Sequence, residues 1–107
     1  MTHKDTLILA KNKKLTGTIK VRGAKNAVTR EMVAAMLSPV PSILHNVPDI
    51  ADVAVVSEMI RLHGGTVTQV SDGTIRIESS KIKVADPVEL HEIAGTSRIP
   101  ILFAGPL

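Results

Sequence analysis

Two hydrophobic periods alternate along this chain. Leu7 to Ala10 is a short apolar run, broken by Lys11, Asn12, Lys13 and Lys14. From Leu15 to Val21 every second residue is apolar or glycine (Leu15, Gly17, Ile19, Val21), while Thr16, Thr18 and Lys20 fill the other face. That period of two predicts a half-buried strand, stopped by Gly23. From Asn26 the period becomes helical, with Val28, Met32, Ala35 and Met36 on one face. Pro39 and Pro41 end that helix, because proline lacks the amide proton a helix interior needs. Ser42 to Val47 reads as a second strand. A second helix follows, with Asp52 as its cap or in its first turn. Val53, Val56, Ile60 and His63 mark its inner face, broadened by Val55, Met59 and Leu62, and Gly64-Gly65 closes it. Thr66 to Val70 and Thr74 to Glu78 form a hairpin through Ser71-Asp72-Gly73, with Ile75 and Ile77 inward. Lys81 to Val84 is a candidate short strand, and Val88 to Ile93 is open between helix and strand. Thr96 to Leu107 is expected to be a helix, started by Thr96 or Ser97, with Pro100 tolerated in its first turn.

The predicted order is strand, helix, strand, helix, strand, strand: a mixed α/β unit of βαβαββ type, able to bury one sheet face under two helices. Ile99 to Leu107 is almost wholly apolar. Such a segment expects cover, so the chain is expected to be a fragment of a longer protein or to associate with itself through this end.

Composition narrows the function. At 107 residues, 44% hydrophobic and 21% charged, the chain has the balance of one globular domain. No apolar stretch approaches the roughly 20 residues of a membrane span, and Met1 to Asp5 has no apolar leader core, so no membrane partner is expected. With no cysteine there is neither a thiol nucleophile nor a disulfide, and the cytoplasm is the expected location. Phe103 is the only aromatic residue, which removes the stacking platform of single-strand nucleic-acid binding. The histidines (His3, His45, His63, His91) form no metal-ligand spacing, and no metal is expected.

The net charge of +3 hides an asymmetry. Residues 1–30 carry eight basic groups and one acid; the remainder carries five basic groups and nine acids. Within the basic part, Arg22-Gly23-Ala24-Lys25-Asn26-Ala27 runs from strand through turn into helix. A helix start exposes amide protons and a positive dipole end, which attract phosphate or carboxylate. Lys25, Arg22 and Arg30 repel that pole by about 0.3–1 kcal/mol each until an anion is present. Asn26 serves either as the helix cap or as a ligand donor. Arg98, after Gly95-Thr96-Ser97, occupies a second predicted helix start. A basic module holding an anionic partner through residues 1–30 is the alternative reading.

The run Leu15-Thr16-Gly17-Thr18-Ile19-Lys20-Val21-Arg22-Gly23-Ala24-Lys25-Asn26-Ala27 resembles the N-terminal signature of the UDP-N-acetylglucosamine enolpyruvyl transferase (1-carboxyvinyltransferase) family. Asn46-Val47-Pro48-Asp49-Ile50-Ala51-Asp52-Val53, Leu62-His63-Gly64-Gly65, Arg98 and Gly105-Pro106-Leu107 follow in the family's order. The related shikimate-pathway transferase is expected to have serine after the lysine, so Asn26 favours the UDP-sugar branch. The resemblance covers about the first quarter of the family's usual length. It implies two domains of βαβαββ repeats in an inside-out α/β barrel, with residues 1–21 joining the other domain and residues 22–107 opening the catalytic one. It implies transfer of the enolpyruvyl group of phosphoenolpyruvate to UDP-N-acetylglucosamine, the first committed step of cell-wall precursor synthesis, without metal or organic cofactor. By the same resemblance Lys25 and Asn26 meet phosphoenolpyruvate and Arg98 meets the UDP-sugar. The proton donor, a cysteine or aspartate on a mobile loop, would lie beyond Leu107, and the chain alone is expected to be inactive. Thr29-Arg30-Glu31 departs from the family, which is expected to be apolar there.

Overall fold

A computed structural model describes residues 5–83, 86–95 and 103. Three helices and three strands follow in the order α1 (Lys25–Ala35), β1 (Ser42–Leu44), α2 (Ala51–Leu62), β2 (Thr66–Ser71), β3 (Thr74–Glu78) and α3 (Pro87–Ala94). The strands form one antiparallel sheet in the order β1-β3-β2. Its central strand pairs Ser42 with Ile77 on one side and Val67 with Ile77 on the other.

The core is what the periodicity predicts. Val28, Met32, Ala35 and Met36 from the first helical segment are buried, as are Val56, Met59 and Ile60 of α2. Ile75 and Ile77 turn the same sheet face toward them. Both helices therefore cover one side of the sheet, while Ile43 and Val70 remain exposed. At the far end of α2, the buried His63 stacks on Phe103 with ring centroids 5.6 Å apart and donates its Nδ1 proton to the Met59 carbonyl at 2.7 Å. Gly64 adopts φ +88, and a Cβ there would stand 2.4 Å from the Lys81 carbonyl oxygen, so glycine is required at this stop.

Four elements differ from the sequence reading. Residues 15–21 form no strand: Leu15, Ile19 and Val21 are 91%, 89% and 78% exposed. Alternation prepares a face, but a strand also needs a neighbouring edge to complete its hydrogen bonds, and no described residue supplies one. The first helix ends at Ala35, short of the prolines. The open stretch after Asp86 is helical: the Asp86 carboxylate accepts from the amides of Val88 (2.8 Å) and Glu89 (3.4 Å), with Pro87 in the first position. The candidate strand at Lys81 to Val84 is not formed over residues 81–83, where the Lys83 amide donates to the His63 carbonyl; Val84 lies outside the described residues. The helix expected over Thr96 to Leu107, and Arg98 with it, lies outside them too, Phe103 aside. Among the described residues no helix is long and apolar enough to cross a membrane, and no three His, Asp or Glu side chains gather as metal ligands.

Candidate anion site at the start of the first helix

Three loops converge where α1 begins. Gly23 donates its amide to the Asn46 carbonyl at 3.0 Å, and Val47 donates to the Gly73 carbonyl at 2.9 Å. Asn46 takes φ +57, in the left-handed region that asparagine tolerates better than most residues. Its side-chain amide reaches the Val21 carbonyl at 3.5 Å. The approach is so close that a Cβ on Gly23 would lie 2.3 Å from the Asn46 oxygen. The loop after β1 and the β2–β3 turn thus set the direction in which the chain enters α1.

That helix start carries little of its own neutralisation. The residue before it, Ala24, is extended and has no capping side chain, and no acid sits in the first turn. The amides of Ala27 and Val28 bond back to the Ala24 carbonyl, which leaves those of Lys25 and Asn26 as donors with no partner among the described residues. Asn26 lies inside the helix, one residue past its first, so the capping role considered from sequence is not its role here. Its backbone carbonyl accepts from the Arg30 guanidinium one turn on.

The basic groups gathered by the sequence are not left facing one another. Lys25 Nζ pairs with the carboxylate of Asp52 at 3.1 Å, across to the first turn of α2. The lysine side chain is 65% exposed and the aspartate only 18%. Arg22 pairs at 3.5 Å with Asp72 in the hairpin turn. Neighbouring elements therefore supply the counter-charges that α1 lacks, and the repulsion expected of an empty helix start is relieved internally. Asp52 figured in the sequence reading only as a cap or first-turn residue; 27 positions separate it from Lys25, and no local spacing reveals the pair.

Two shallow hollows flank the start. One, of about 180 Å³, is lined by Arg22, Pro48, Asp49, Gln69 and Asp72 among others. The other, of about 160 Å³, is lined by Gly23, Ala24, Ala27, Glu31, His45 and Asn46 among others. Neither Lys25 nor Asn26 lines them. The two residues stand on the open rim of α1, where they could form one wall of a site.

The sequence profile of the EPSP synthase (3-phosphoshikimate 1-carboxyvinyltransferase) family matches residues 9–101. A UDP-N-acetylglucosamine 1-carboxyvinyltransferase from Wolbachia pipientis subsp. Culex pipiens is 36% identical over 94% of this chain and 25% of its own length. Proteins of the same name from Treponema denticola and Shewanella denitrificans are 38% and 32% identical over 87% and 96% of the chain, and 21% and 24% of their own lengths. The chain thus spans about a quarter of these relatives. In fold it is similar to the enolpyruvyl transferase NikO from Streptomyces tendae, with a TM-score of 0.72, 20% identity, and cover of 89% of this chain and 22% of that one. A sheet with two helices on one face, an open helix start after Arg22-Gly23, and a family profile that runs through all of them place the chain in the EPSP synthase family.

Proposed function

We propose that this chain forms part of a UDP-N-acetylglucosamine 1-carboxyvinyltransferase. The observation that carries the reading is that relatives bearing this name match 87–96% of the chain at 32–38% identity, across the start of α1. In the net reaction a hydroxyl oxygen of the sugar bonds to C2 of the enolpyruvyl group. The bond from C2 to the phosphate oxygen breaks, and phosphate leaves with the hydroxyl proton.

Lys25 and Asn26 are assigned to phosphoenolpyruvate. The ammonium, the open amides and the Asn26 side chain would hold its carboxylate or phosphate and offset the charge that grows as phosphate departs. Arg98, outside the described residues, is assigned to the UDP-sugar. Residues 1–21 are assigned to a sheet of the other domain, a reading supported by the alternating, exposed pattern of Leu15 to Val21. Peptidoglycan precursor synthesis in the cytoplasm, and with it a place in cell shape, cell cycle and division, follows from the same reading. Self-association through the apolar 99–107 segment belongs to it as well.

A chimera tests it. This chain replaces the matching quarter of the Treponema denticola relative, and phosphate release from phosphoenolpyruvate and UDP-N-acetylglucosamine is followed. The chimera is expected to turn over, Lys25→Ala within it to lose at least about a hundredfold, and the 107-residue chain alone to release none. A folded but inactive chimera, or an active Lys25→Ala form, would count against the proposal.

A further inference from the structure

We infer that Asp52 is the positioning residue for Lys25: it holds the ammonium at the start of α1 so that the amine's remaining protons face an incoming anion. The inference deepens the reading of Lys25 and Asn26 as the phosphoenolpyruvate contacts and rests on it.

The asymmetry of the pair is the argument. Lysine has a flexible four-carbon stem, and at 65% exposure little packing holds it. Asp52 is the reverse: its carboxylate is 18% exposed, it is carried on the first turn of a twelve-residue helix, and among the described residues Lys25 is its sole recorded partner. The rigid member therefore fixes the mobile one. Withdrawing the ammonium would leave a largely buried carboxylate without a counter-charge, which is strongly unfavourable. An anion is thus expected to bind Lys25 in place, without pulling it from Asp52. An ammonium has three protons, and one contact with Asp52 leaves two. The open amides of Lys25 and Asn26 lie on the same rim. The position of α2 sets this geometry, and α2 in turn packs on α1 and β2 through Val56, Met59 and Ile60.

The test is a titration of the isotope-labelled 107-residue chain with phosphoenolpyruvate, followed by NMR at the Lys25 and Asn26 amides and the Lys25 ammonium. Asp52→Ala, Asp52→Asn and Asp52→Glu are compared, with core signals of Met32 and Ile60 reporting the fold. In the parent chain both residues are expected to shift. Asp52→Ala should weaken binding about tenfold, the order of the rotamer freedom an untethered lysine must lose. It should also erase the hydrogen-bonded ammonium signal before any ligand is added. Asp52→Glu, which restores a carboxylate, should recover most of the affinity. Should Asp52→Ala lose its fold, Asp52→Asn decides, and weaker binding is expected there as well. Equal or tighter binding by a folded Asp52→Ala or Asp52→Asn overturns the inference while leaving the ligand assignment intact. No shift at Lys25 in the parent chain sinks the ligand assignment and this inference together.

Discussion

Thr29 is 1% exposed and its hydroxyl has no hydrogen-bond partner among the described residues. It sits on α1 between residues that face the core, where the family is expected to be apolar. Burying a hydroxyl without a partner costs about 1–3 kcal/mol, and valine has nearly the same shape. Thr29→Val is therefore expected to stabilise the chain by about 1 kcal/mol, seen as a higher urea midpoint with an unchanged slope. A lower midpoint would mean that the hydroxyl has a partner after all. The residue scale was partly legible in the sequence: Thr29 belongs to the polar run Thr29-Arg30-Glu31 where the family is expected to be apolar. Its burial without a partner did not follow, because the helical face it shares with Val28, Met32 and Val33 is wider than the strict apolar stripe. The pairings of Lys25 with Asp52 and of Arg22 with Asp72 were illegible for a different reason. Each joins residues on elements that meet only after the helices and hairpin have docked.

At the scale of elements, the start of α1 depends on a backbone contact that only glycine permits. Gly23→Ala would force a Cβ to within 2.3 Å of the Asn46 oxygen, with backbone on both sides of the clash. The substitution is expected to destabilise the chain by roughly 2 kcal/mol or more, within the range of overpacked sites, and to shift the NMR signals of Asn46 and Val47 together with those of Lys25. A change confined to residues 22–24 would show that the three loops are not coupled. Elsewhere the elements with local signals were legible. The second periodic helix and the Asp72-Gly73 hairpin formed where the pattern put them, and the first helix lies on its predicted face but stops at Ala35; the hairpin contains a register shift between Gln69 and Ser71. The third helix had a local signal as well, in Asp86 followed by Pro87, but the mixed pattern of Val88 to Ile93 hid it. Alternation misled at residues 15–21, since a strand is a relation between two segments and this one has no partner edge among the described residues.

For the whole molecule, the radius of gyration is 17.0 Å, against about 13 Å for a folded chain of this length. The N-terminal segment is open: residues 5–22 are all exposed, and Leu7, Ile8, Leu9, Leu15, Ile19 and Val21 are each at least 78% so. Among the described residues, side-chain links between it and the body run through Arg22 and Asn46. A chain beginning at Lys20 is therefore expected to keep its stability within about 0.5 kcal/mol and to associate less at high concentration, as read by denaturation and sedimentation. A large loss of stability would show that the segment packs on the body. By itself the sequence determined the periodic helices, the hairpin, the glycine stops and the family signature, because each depends on neighbours within a few positions. Tertiary structure alone decided which carboxylate meets which cation and whether the first alternating segment becomes a strand. Those outcomes require surfaces that are brought together by folding, and no spacing along the chain encodes them.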